Sequence, residues 1–95
     1  MQIVPVHTKI EKLIEVKKGI VVMENPDGFP VGEVNIYMVG PTGELLWKAE
    51  KPAPKALFTK IKLNEDATLS TFTSGGQFCD LNVDTGKIIS SSNFR

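Results

Sequence analysis

Apolar and polar residues in this chain alternate with a period of two over several short stretches. No stretch of helical length keeps an apolar stripe at i, i+3, i+4 and i+7 without a Gly or Pro breaking it. The pattern predicts eight strands, at residues 9–16, 19–24, 34–39 and 44–50 in the first half and 56–63, 68–73, 77–82 and 87–92 in the second, with residues 2–6 as a further short edge strand. The clearest alternation sets Leu57, Thr59, Ile61 and Leu63 against Phe58, Lys60 and Lys62, one face dry and the other mostly wet. Cys79 and Leu81 oppose Phe78 and Asp80 in the same manner, and Ile36 and Met38 oppose Asn35 and Tyr37. The single cysteine is therefore expected in the core as a buried thiol.

The punctuation between strands suits hairpins. Pro41-Thr42-Gly43 and Asp84-Thr85-Gly86 fit a type I turn closed by a residue with φ > 0, and Lys17-Lys18-Gly19 fits the same turn. Gly19, Gly43 and Gly86 are thus the expected structural turn residues. The two Thr-Gly pairs lie 43 positions apart, each followed by a charge and two aliphatics. The same offset pairs Gly32 with Gly75, Ile36 with Cys79 and Met38 with Leu81, which points to an internal repeat of about residues 9–50 and 56–92. The expected fold is all-β, with two antiparallel four-stranded units of hairpin (meander) connections packed as one domain over residues 1–95. The Pro-rich stretch Lys51–Lys55 joins them, since each half alone is too small for a core.

Thr42-Gly43-Glu44-Leu45-Leu46-Trp47 resembles the Thr-Gly-x-x-x-Trp signature of quinoprotein-type β-propeller blades. Leu81-Asn82-Val83-Asp84-Thr85-Gly86-Lys87 is similar to a degenerate second copy, with Ser90 where the tryptophan would stand. The resemblance implies blade-like units and no cofactor site, because the Gly and Trp of that signature shape and pack a blade. The order of elements, with Leu46-Trp47, the Pro-rich 51–55 loop, the acidic turn 64–67 and Thr85-Gly86-Lys87-Ile88, also resembles a group of small stand-alone bacterial proteins of unknown function. That resemblance adds no activity.

Charge narrows the possible roles. Eleven basic residues balance eleven acidic ones, so no net field draws the chain to nucleic acid or to an anionic membrane. The hydrophobic share of 41% is too high for a disordered chain. No apolar run exceeds four residues, as at Ile20–Met23, and the N-terminus lacks a signal-peptide pattern. With one cysteine, these features predict a cytoplasmic protein.

No reactive constellation emerges. His7 is the sole histidine and sits near the chain start without an obvious partner. Asp80, Asn82 and Asp84 follow the oxygen-rich spacing of a calcium loop, but Thr85 stands where that loop needs its glycine. No metal or cofactor is expected. Tyr37, Phe29, Phe58 and Phe72 form a possible interaction face if they share a side, and core packing is the competing role of each. The expected function is a non-catalytic module that binds a protein partner or itself. The alternative is a small hydrolase or ligand-binding protein using a polar cluster around Asp80, Asp84 and Cys79.

Overall fold

Eight strands form in the computed structural model, which describes residues 3–93. They are β1 (Ile10–Val16), β2 (Gly19–Glu24), β3 (Ile36–Val39), β4 (Leu45–Lys48), β5 (Phe58–Leu63), β6 (Thr68–Thr73), β7 (Gln77–Asn82) and β8 (Ile88–Asn93). The first four make one antiparallel meander in the order β1-β2-β3-β4 and the last four a second, β5-β6-β7-β8. No strand forms over residues 3–6, and Gln2 lies outside the described residues.

The two sheets pack face to face. Val21, Met23, Ile36, Met38, Trp47 and Ala49 from the first meet Phe58, Ile61, Leu69, Cys79 and Leu81 from the second in one apolar core. Alternation decides which residues turn inward, and bulges correct it where the pattern would fail. Between Phe58 and Lys60 the β5–β6 register shifts, so Phe58 and Ile61 both point into the core. This overturns the expected alternation at Phe58, which is buried, and at Thr59 and Leu63, which are exposed, while Leu57 and Ile61 are buried as expected. A matching shift between Ile10 and Lys12 in β1 sends Ile10 to the outer face, while Ile14 and Val16 stay inside.

The first sheet also buries part of its outer face. Val22, Tyr37 and Val39 form a second cluster there, with Ile3, Ile10 and Ile20 packed on it. That explains why β2 and β3 read as continuous apolar runs, the mark of strands covered on both sides.

The hairpins differ in a way that the repeat did not foretell. At β3–β4 the Gly43 N–H donates to Gly40 O and the Gly40 N–H to Glu44 O, with Gly43 at φ 89°, as a type I turn with a glycine bulge requires. At β7–β8 the turn is one residue wider. The Gly86 N–H reaches back to Asn82 O, and the Asn82 N–H donates to Lys87 O, with Gly86 at φ 73°. Leu46 and Ile89 are the unpaired residues of the two register shifts that follow. Because of the wider turn, Met38 faces Trp47 on the inner side, whereas Ser90 faces Asp80 on the outer side. A tryptophan at position 90 would stand in solvent.

Gly19 departs from expectation, since it is not among the residues with positive φ. A Cβ there would lie 2.2 Å from Val39 O, so close approach of the neighbouring strand excludes a side chain.

Candidate binding cleft

Residues 3–8 cross the outer face of the first sheet as a strap, and one buried carboxylate holds it. Glu24 ends β2 on the outer face with its side chain wholly out of solvent. Its Oε2 accepts from the Val6 N–H at 2.6 Å and from the Tyr37 hydroxyl at 2.5 Å; its Oε1 accepts from the His7 and Thr8 N–H groups, each at 2.9 Å. Burial pushes the Glu24 carboxyl up. The bond from Tyr37 and those from the three strap amides outweigh that and hold it below its ordinary value. Burial, and then the hydrogen bond to the Glu24 carboxylate and its charge, push the Tyr37 phenol well above its usual range.

The strap is pinned at two further points. The Thr8 hydroxyl donates to Asn25 O at 2.7 Å. His7 stacks edge-on against Phe29 at 5.0 Å and places Nε2 2.9 Å from Glu33 Oε1. His7 therefore has partners that its position near the chain start did not suggest. Lys51 fastens the loop beneath, donating from Nζ to Val31 O and Glu33 O.

Between strap and sheet lies a cleft of about 230 Å³. Tyr37, Val39, Phe29 and Val34 line it from the sheet and its β2–β3 loop, Val4 and Val6 from the strap, and Leu45 and Lys48 from β4. Its rim is apolar and open to solvent: Val4 is 76% exposed, Val6 62% and Leu45 54%. Lys48 is cross-strand partner to Tyr37, and its amine has no hydrogen bond or ion pair among the described residues. A second, shallower depression of about 340 Å³ lies between Val16, Leu63 and Val83.

The expected aromatic face is divided among three places. Phe29 and Tyr37 are buried along the cleft, Phe58 is in the core, and Phe72 reaches the outer face of the second sheet, where its ring meets Phe78 at 5.1 Å. The Asp80, Asp84 and Cys79 side chains also diverge. Cys79 is buried in the core, its thiol pushed up by burial and then by the Asp80 charge. Asp80 lies on the opposite face, accepting from Ser70 Oγ at 2.9 Å and Ser90 Oγ at 3.3 Å. Asp84 sits in the β7–β8 turn, 3.6 Å from Lys18. Asn82 Oδ1 accepts from the Asp84 and Thr85 N–H groups, so the acidic run is spent on turn geometry. Among the described residues no group of three or more His, Cys, Asp or Glu is placed to hold a metal ion, and no helix is long and apolar enough to cross a membrane.

Sequence reasoning missed Glu24 and the strap. Glu24 closes an apolar strand just before Asn25-Pro26, so it reads as an ordinary polar strand end. Its one signal is parity, since Ile20, Val22 and Glu24 share the face that also carries Tyr37. No family model matches the chain, and no curated protein matches it closely enough to place it in a family.

Proposed function

We propose that the chain is a non-catalytic binding module that receives a protein partner on the outer face of its first sheet. One observation carries this reading: an apolar cleft beneath a strap that a buried carboxylate anchors, with its rim residues Val4, Val6 and Leu45 left in solvent. Large exposed side chains gathered at a concave site favour association. The edge strand β4, which among the described residues pairs only with β3, adds backbone to the same surface. The two four-stranded sheets are read as copies of one ancestral hairpin unit. They share a positive-φ glycine and a bulged strand 43 positions apart, and the repeat serves to build the scaffold. The lone buried Cys79 suits a reducing compartment such as the cytoplasm.

The test is affinity capture from the source cells with the native chain and with Val4→Ser and Leu45→Ser, both exposed and dispensable to the core. A partner held by the native chain and lost by both variants at unchanged melting temperature supports the reading. Equal recovery by all three moves the interaction to another face. Turnover of a screened substrate overturns the non-catalytic role.

A further inference from the structure

We propose that the cleft takes the last residue of a partner protein's chain, its apolar side chain on Tyr37 and Val39 and its terminal carboxylate on the amine of Lys48. The inference rests on the binding-module reading and names the chemistry that the site selects.

The cleft's size comes first. At about 230 Å³ it lies below the roughly 300–1,000 Å³ of sites that enclose drug-sized ligands, so it suits one large side chain and not a cofactor. The charges that line it come next. Glu33 is hydrogen-bonded to His7, and the nearby Glu24, which is not part of the lining, has its carboxylate bonded to the strap and Tyr37. The remaining charged residue of the lining is Lys48, exposed at the rim, whose cation has no protein partner among the described residues. An apolar floor and an unspent cation within one small cleft call for a ligand that carries an apolar group and a carboxylate close together. A chain terminus is the one place in a protein where both belong to the same residue. An internal Asp or Glu would have to bring its apolar companion from a neighbouring residue that points elsewhere in an extended segment.

The approach is also provided for. Lys48 and Leu45 both lie on the edge strand β4, so an extended segment laid along that edge reaches the cleft with its final residue. The amine then meets the carboxylate as a charge-assisted pair beside an apolar wall, where such pairs are stronger than in open water.

The experiment titrates the ¹⁵N-labelled full chain with acetyl-Ala-Ala-Val-Leu as the free acid and as the amide. The free acid is expected to shift the Val6, Val39, Leu45 and Lys48 amides and to bind about tenfold tighter than the amide. Lys48→Gln is expected to bring the free acid down to the level of the amide while the spectrum stays folded. Equal binding of acid and amide, or a free acid indifferent to Lys48→Gln, overturns the proposal. So does an amidated peptide with an internal Glu that binds as well as the free acid, since the carboxylate would then come from a side chain. Hexanoate matching the peptide would reassign the cleft to a small free acid. Sedimentation showing self-association lost in Leu45→Ser would give the face to a second copy of this chain. Should no peptide bind while Leu45→Ser still abolishes partner capture, the carboxylate chemistry fails and the binding-module reading survives.

Discussion

At the scale of single residues, three turn positions with φ > 0 carry three different constraints. Gly43 has open space around the place where a Cβ would stand, so Gly43→Ala faces only the backbone penalty of about 1–2 kcal/mol. Gly86 has the same backbone, but its Cβ would lie 2.4 Å from Cε3 of Trp47. That indole is itself fixed by a 3.0 Å bond from Nε1 to Val83 O and by the core around it. Gly86→Ala should therefore cost about 2 kcal/mol more than Gly43→Ala, through overpacking. Ala67 has the opposite problem. It sits at φ 65° in the β5–β6 turn, where glycine would be unstrained, and Ala67→Gly should stabilise by up to about 1 kcal/mol after glycine's own entropy is set against the relief. Urea denaturation of the three variants checks both the order and the change of sign. Equal losses at Gly43 and Gly86 would mean that Trp47 can move aside.

At the scale of elements, the strands were legible because each is short, apolar and bounded by turn residues. β2, β6 and β7 begin and end where the alternation and the glycines place them. The faces were less legible, since one bulge inverts the parity of everything beyond it and leaves no mark in composition, as Phe58 and Ile10 show. The strap was not legible at all. Its hydrogen bonds run from backbone amides to a side chain seventeen residues away at His7, a pairing without periodicity. Its stability has a pH signature. The Glu24 carboxyl is lowered in the folded chain, so its contribution is present above the ordinary value of 4.5 and is lost as the pH falls below it. Hydrogen-exchange protection at Val6, His7 and Thr8 should be lost as the pH falls below the ordinary carboxyl value, ahead of that of the core amides. Glu24→Gln should give the same exposure at neutral pH and cost about 2–3 kcal/mol, because an amide offers one acceptor and turns a donor toward the remaining N–H groups. Protection of those three amides that is flat down to acid unfolding would show that apolar contacts, and not the carboxylate, hold the strap.

Across the whole molecule, the two sheets are joined by more than shared apolar surface. Asn35 is buried just before β3, where it donates from Nδ2 to Glu24 O and Phe58 O, each at 2.8 Å, and accepts at Oδ1 from the Phe58 N–H at 2.9 Å. Its side-chain amide thus does for β5 what the peptide group of a neighbouring strand would do. Asn35→Ala leaves the Phe58 N–H and two carbonyls without these bonds in a dry interior, and should cost about 3 kcal/mol or more. Calorimetry should still find one transition, shifted down, because the core at Phe58, Met38 and Leu81 belongs to both sheets. Two separated transitions would mean that the sheets are independent. Apolar layers in contact are slippery: sliding one across the other by a few ångströms exchanges one set of methyl contacts for another of similar worth. A hydrogen-bonded amide has a single address. Asn35 therefore works as a dowel between two planks, permitting one alignment, and that alignment is what sets Trp47 over Gly86.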